Sequence, residues 1–388
     1  MKDIMIRSYK VRIYPTKEQE ILMNKHIDCC RFIWNYMLAL NLEREKLDEY
    51  PLRKFAMCNE LTLLKKQPQY KWLNGVSTDS LQIVCGDLDE AYKAFFGKIR
   101  GKPKFKKKAK SKRAFPVRCN RTYFKNDKYI AIPVIGKVRY KTDFNFQYGF
   151  NALRIKNPRI SNIGNKWIIA FALEIEKQDY SLNDFSVGID LGIKDLAVVS
   201  YDGNKSKVYH NINKSRKVKY YKSKLKHVQR NLARKYEKRK SENFYNKEHS
   251  KNEIREIKKI QYLYRKLANI RDNYIHQVTA EIINMLPKRI VIEDLKVSDM
   301  LKDKKLSEEI SEQCFYKFRT YLTYKCEEKG IELVVADRYY PSSKTCSCCG
   351  NVKKNLKLSD RTYICDKCGF IIDRDLNAAI NLMNYTVQ

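Results

Sequence analysis

Two groups of residues carry the chemistry this sequence could do: four cysteines and a set of acids. Cys346-x2-Cys349 and Cys365-x2-Cys368 are separated by 15 residues. Two knuckles at that spacing offer four thiolates to one tetrahedral Zn²⁺. A glycine follows each knuckle, Gly350 and Gly369, and lets the backbone turn so that its amides face the sulfurs. Four thiolates leave no open position, so the zinc is expected to be structural. Cys348 is the spare, because using it in place of Cys349 would compress the first knuckle. Among the acids, Asp190 stands in the strand-turn GIDLG, Glu293 ends the apolar run IVIE, and Asp373 and Asp375 flank the start of the last helical stretch. An acid at the end of a buried strand is costly unless it is paired or on a metal. Three of them in a basic chain suggest a site for hard divalent cations, which suit phosphodiester chemistry. From spacing alone, each acid capping a turn or pairing with a nearby Arg or Lys remains an equal reading.

The chain around these residues has 388 positions, 79 Lys+Arg, 44 Asp+Glu and a formal net charge of +35. Self-repulsion at that charge destabilises a compact state, so a polyanionic partner is expected, nucleic acid first. An anionic membrane surface is the rival. No apolar run reaches the roughly 18 residues of a membrane span, and the start MKDIMIRSYK lacks the apolar core of a signal peptide. The expected location is the cytoplasm, with the nucleoid. Of the 12 cysteines, seven are scattered and read as core or neutral positions.

The elements that must position the site follow from patterning. RSYKVRIYP alternates and reads as a strand; Thr16 and Gln19 fit a capping box before a long helix. Residues 16–98 read as a helical unit. Residues 102–113 hold eight Lys/Arg and no acid, and the interleaved Phe105 and Phe115 favour phosphate contact. Short alternating runs between 128 and 176 suggest an antiparallel barrel or sheet. FSVGIDLGIKDLAVVSYDG is strand, glycine turn, strand. No Gly or Pro occurs from 204 through 286, and two apolar stripes there predict a helical hairpin. Its first arm, 214–241, carries 13 Lys/Arg against one acid. KRIVIEDL and IELVVADRYY read as strands, with a helix between them.

FSVGIDLGIKDLAVVS, RIVIEDLKVSDM, YYPSSKTCSCCG and CGFIIDRDLNAAINL, in that order, resemble the RuvC-type nuclease of the TnpB (OrfB) transposon-encoded family, which is related to compact type V CRISPR effectors. The likeness extends to YKVRIYPTKEQE, RFIWNYML and LDEAYKAFFGKIRGKPKFKKK, and so covers essentially the whole chain. It implies an α/β multidomain protein. A wedge β-barrel (1–15 and 99–180) would be interrupted by a helical recognition insert (16–98). An RNase H-like RuvC domain (181–343, hairpin 210–286) would be followed by the zinc ribbon (344–370) and a last motif and helix (371–388). The family's three catalytic acids fall on Asp190, Glu293 and Asp375, which would hold two Mg²⁺, with Asp190 bridging; Asp373 becomes a helix cap. Arg374 is expected to pair structurally with Asp373, and His276 to pack. The helix around Gln82 resembles the part that reads a short DNA motif, although Thr78 and Asp79 depart from the family. The nucleic-acid contacts are expected at Gln82, at Lys102, Lys104, Lys106, Lys107, Lys108, Lys110, Lys112 and Arg113, and at Lys217, Lys224 and Arg230. The implied function is RNA-guided cleavage of double-stranded DNA beside a flanking motif, with a guide RNA from the transposon end. A nuclease-dead RNA-guided repressor and an RNase H-like transposase are the alternatives. Monomer and dimer stay open.

Overall fold

The computed structural model describes residues 4–386 except 109, 127, 143–154, 165, 203–204, 242–248 and 358–359. The chain divides into two compact units, one ending at Glu176 and the other beginning at Lys177.

In the first unit, strand β1 (Ile4–Tyr14) runs into three helices, α1 (Lys17–Lys46), α2 (Lys54–Lys66) and α3 (Thr78–Phe96). The capping box is present: the Thr16 hydroxyl accepts from the Gln19 amide, and the Gln19 side chain accepts from the Thr16 amide. The Gln19 amide group also donates to the carbonyls of Ile135 and Lys137, at 3.2 and 3.0 Å, so the cap ties the helix to a distant turn. Strands β2 (Ala114–Pro116), β3 (Tyr123–Phe124), β4 (Tyr129–Ile132), β5 (Gly136–Lys141), β6 (Lys156–Ile163) and β7 (Lys166–Glu176) complete an antiparallel sheet in the order β2-β6-β7-β1-β5-β4-β3. The alternating runs left a barrel or a sheet open, and the family resemblance implied a barrel. Among the described residues the end strands β2 and β3 do not pair with each other, and three and two residues of ladder are too short to close one. One continuous core, from Val11 and Ile13 through Ile33, Leu61 and Leu88 to Ile160 and Phe171, joins helices to sheet.

The second unit is built on β8 (Asn183–Leu191), β9 (Asp195–Tyr201), β10 (Lys205–His210), the hairpin helices α4 (Arg216–Ser241) and α5 (Lys251–Asn284), and β11 (Pro287–Glu293). There follow the short helices α6 (Val297–Met300) and α7 (Ser307–Gln313), then α8 (Phe315–Lys329), β12 (Glu332–Ala336), the β13 (Thr362–Ile364) and β14 (Ile371–Asp373) pair, and α9 (Arg374–Met383). The sheet order is β10-β9-β8-β11-β12. The first three strands form an antiparallel meander, and β11 and β12 add in parallel to β8. Alternation gives each face its own cover. Val187, Ile189, Ile290 and Ile292 join the core with α5 and α8, while Val291, Ala336 and Leu382 form a cluster with α9 on the other face. Hairpin packing follows the predicted stripes, with Val218, Leu225 and Val228 against Leu263 and Leu267. Among the described residues, no helix is long and apolar enough to cross a membrane.

Candidate active site and metal centre

Parallel pairing places the first two acids together. Ile189 is opposite Ile292, so the next residue of each strand, Asp190 and Glu293, emerges on the α9 face at the carboxyl ends of neighbouring strands. Their carboxyls are close enough to interact electrostatically. The third acid arrives on α9. Asp373 caps that helix, accepting from the amides of Asp375 and Leu376 at 3.0 and 3.1 Å, and Asp375 follows in the first turn. Asp190 is pushed well above the usual carboxylate range by desolvation, then by the charges of Glu293 and Asp375. Glu293 and Asp375 are both raised, again by desolvation first.

Asp294, beside Glu293, behaves in the opposite way. Arg338 and Arg319 reach it at 2.5 and 3.1 Å, and those bonds hold its carboxyl below the ordinary range. The salt-bridge reading of the acids therefore describes Asp294. Among the triad, Arg361 stands 4.0 Å from Asp375, and the charges of Arg374 and Lys194 offset part of the repulsion. Arg374 was expected to pair with Asp373; its hydrogen bonds include the carbonyls of Lys357 and Asp360. His276 stacks on Tyr321 with ring centroids 3.9 Å apart, in the packing role expected for it.

An all-oxygen set of three mutually repelling carboxylates suits hard divalent cations such as Mg²⁺. The three are nonetheless not drawn into a tight ligand cluster, whereas the cysteines are. The sulfurs of Cys346, Cys349, Cys365 and Cys368 all lie within 4.8 Å of one another. Cys346 and Cys368 are 3.7 Å apart, and Cys349 and Cys365 are 3.6 Å apart. Sulfurs about 2.3 Å from a tetrahedral zinc would sit at nearly those separations. Gly350 and Gly369 have φ of 72° and 71°, the left-handed turn that glycine adopts without strain. Backbone amides of Cys368 and Lys367 face the Cys365 sulfur and lower its thiol to about 6, toward the thiolate a metal needs. Cys348 is exposed and outside the group. The ribbon hairpin runs on to Asp373, because β13 pairs with β14 and Thr362 is opposite Asp373.

Four residues that sequence reasoning passed over bind these parts into one site. A Cβ on Gly188 would lie 2.0 Å from the Ala379 carbonyl oxygen and 2.3 Å from the Met383 nitrogen, so α9 lies directly on the β8 backbone. The Ser342 hydroxyl donates to Glu293. Asn377 is fully buried; it donates to the Thr345 carbonyl at 2.7 Å and accepts from the Ser347 amide at 3.0 Å. One turn on, Asn381 donates to the carbonyls of Ser342 and Thr345, both at 2.7 Å. The first cysteine knuckle, the Glu293 partner and α9 are thus one hydrogen-bonded assembly. The signal was present in GIDLG and LNAAINL: a glycine before the acid, and two asparagines four apart on an apolar helix.

The expected nucleic-acid contacts separate into two kinds. Lys104, Lys107, Lys108, Lys110, Lys112 and Arg113 are exposed, as are Lys217, Lys224 and Arg230 on α4. Lys102 instead pairs with Glu45 at 2.5 Å. Lys106 sits 3.5 Å over the Trp34 ring, and burial pushes its amine down to about 8. These two anchor the loop, together with bonds from Trp34 to the Lys104 carbonyl and between Asn35 and the Lys106 backbone. Gln82 is half-buried on α3.

Comparison with known proteins finds similarity along most of the chain. Family models match at residues 1–48 ("Helix-turn-helix domain", of the OrfB type), 171–304 ("Probable transposase", OrfB) and 315–382 ("Cas12f1-like, TNB domain"). The first span is here one strand followed by one long helix. A protein of Escherichia coli (strain K12) is 29% identical over 97% of this chain and 92% of its own length. One from Streptomyces pristinaespiralis is 27% identical over 97% and 88%. Both carry the description "Putative RNA-guided DNA endonuclease", the first with the name InsQ. The Cas12f1 endodeoxyribonuclease of Sulfoacidibacillus thermotolerans is 32% identical over 32% of this chain and 30% of its own. The fold matches Cas12f1 in a complex with guide RNA and target DNA, with a TM-score of 0.60 and 13% identity over 98% of this chain and 99% of that one. The order of motifs, the matched models and these full-length relatives lead to one family: along nearly its whole length the chain is similar to proteins of the TnpB (OrfB) family.

Proposed function

We propose that this protein is an RNA-guided DNA endonuclease whose second unit is an RNase H-like (RuvC) nuclease domain. One observation carries the reading: Asp190, Glu293 and Asp375 come to one mouth from two strand ends and a helix start, with their carboxyls raised. The meander followed by two parallel strands is the topology expected of an RNase H-like sheet. The relatives' descriptions supply the guided-cleavage activity. In the first unit, the sheet corresponds to the wedge of this family and α1–α3 to its recognition insert.

The carboxylates of Asp190, Glu293 and Asp375 would hold two Mg²⁺, which supply an activated water and charge stabilisation for in-line hydrolysis. The chain's own part is positional. Ser342 orients Glu293, the Asp373 cap sets the first turn of α9, and Gly188 lets the later turns of α9, at Ala379 and Met383, lie on β8. Arg361, Arg374 and Lys194 limit the repulsion that would otherwise keep the acids protonated. The ribbon would hold one structural Zn²⁺, and exposed lysines of the 104–113 loop and α4 would take phosphate. A nuclease-dead repressor is disfavoured because all three acid positions are filled.

The test is to co-express the chain with its own downstream flanking DNA, sequence the RNA that copurifies, and offer a matching target beside randomised flanks with Mg²⁺. We expect double-strand cuts that depend on the flank and vanish in Asp190→Ala, with RNA binding retained. Target binding without cuts in either protein would establish the repressor; absence of any specific RNA would overturn the guided reading.

A further inference from the structure

Beside Asp375 opens a cavity of about 540 Å³ whose floor is Val198 and Val208. Its walls carry Lys194, Asp195, His210, Lys214, Asp373 and Asp375. A β-bulge between Tyr209 and His210 shifts the β9–β10 register so that His210 faces Asp195; such bulges re-aim a side chain at a strand end. Nδ1 of His210 lies 2.7 Å from a carboxylate oxygen of Asp195. That carboxylate is largely covered while the imidazole is open, with side-chain exposures of 16% and 84%. An acceptor there requires Nδ1–H, which directs Nε2 away from Asp195 and into the open cavity. The backbone beneath is fixed as well, since the Tyr274 hydroxyl donates to the His210 carbonyl at 2.7 Å. Lys214 donates to the Lys194 carbonyl, holding that wall.

We propose that His210, oriented by Asp195, is a further catalytic residue, the general acid that protonates the leaving sugar oxygen. The inference rests on the nuclease reading above. As the water oxygen bonds to phosphorus, the phosphorus–oxygen bond to the sugar breaks and its electron pair stays on the sugar oxygen. That oxygen takes the Nε2 proton of the doubly protonated His210, whose Nδ1–H stays on Asp195, and the neutral imidazole is left. The proton of the attacking water goes to solvent, and solvent reprotonates the imidazole. The carboxylates are unsuited to this step because metal coordination requires them ionised. Lys194 and Lys214 face the same cavity and favour the phosphate strand there, and Asp195, Asp373 and Asp375 line it as well.

The test uses the RNA-loaded protein in single-turnover cleavage started by Mg²⁺. Two DNA targets are compared, one ordinary and one with sulfur replacing the bridging oxygen that leaves. A thiolate departs without a proton. Asp190→Ala must abolish cutting of both; a wild type that does not cut removes the nuclease reading and this proposal with it. With that reading standing, His210→Ala is expected to slow the ordinary target about 100-fold or more and leave the sulfur-bridged rate unchanged. Asp195→Asn should show the same pattern more weakly. Equal slowing of both targets would mean that His210 only positions the strand, and no slowing would mean that it is idle. Either overturns the proposal. His210 is exposed, and unchanged RNA binding by the variant checks that it has folded.

Discussion

Glu293 and Asp294 are neighbours with opposite surroundings, and the difference gives the triad a measurable consequence. Asp294 is held ionised by two arginines, whereas Asp190 is driven toward its protonated form by burial and by the other acids. For an acid whose folded value is raised, the native state binds more protons than the unfolded chain. Stability therefore falls as pH climbs from the ordinary aspartate value of about 3.9 through the raised one. Above that window, without metal, the ionised triad opposes folding. Asp190→Asn should then melt higher than wild type at pH 8 in EDTA, by about 2–4 °C for each kcal/mol of repulsion relieved. The gain should shrink toward pH 4, and Mg²⁺ should stabilise wild type more than the variant. A variant that melts lower than wild type at pH 8 in EDTA would show that the acids are not in conflict.

At the scale of elements, the site depends on how closely α9 lies on β8. Gly188→Ala puts a methyl group into the Ala379 carbonyl and the Met383 backbone, where neither neighbour can rotate away. We expect a loss of about 3 kcal/mol or more in the melting of the second unit. Cleavage should fall further than guide binding, because Asp375 rides on the displaced helix; an alanine variant that cuts normally would exclude this role. The zinc proposed for the ribbon would act through the same helix. Asn377 and Asn381 hold α9 to the segment 342–347, so Cys365→Ser should release zinc and depress cleavage while RNA still binds. Zinc content by atomic absorption, read beside cleavage, checks it, and full activity in a zinc-free variant would make the ribbon dispensable.

These elements also show what the sequence made legible. Asp190, Glu293 and the four cysteines could be read because each sits at a marked place: a glycine turn, a strand end, a knuckle. Asp373 was legible as a cap from its position before an Ala-rich helix. Gly188, Asn377 and Asn381 left a mark in GIDLG and LNAAINL, but not one that names their role, which exists only where two distant segments meet. The His210–Asp195 pair was hidden for another reason. A bulge brings it together, and no residue pattern in YHNIN announces a register shift.

The whole molecule carries +35, but the structure divides that charge unequally. Lys102 is engaged by Glu45, and Lys106 lies over Trp34 with its charged form disfavoured. Lys217, Lys224 and Arg230 are exposed along one helix whose inner face, Val218, Leu225 and Val228, is turned against α5. Polyanion binding releases about 0.7 counterion per phosphate neutralised on a single strand. Replacing Lys217, Lys224 and Arg230 together by alanine should therefore flatten the slope of log affinity for RNA against log salt by about 2, and weaken binding at low salt most. Lys102→Ala should leave that slope almost unchanged and instead lower the melting temperature slightly, since an exposed ion pair contributes only about 0–1 kcal/mol. Filter binding from low to moderate salt separates the two classes. If Lys102→Ala flattens the slope as much as a residue of α4 does, then phosphate draws Lys102 away from Glu45, and the loop anchored on α1 opens when nucleic acid binds.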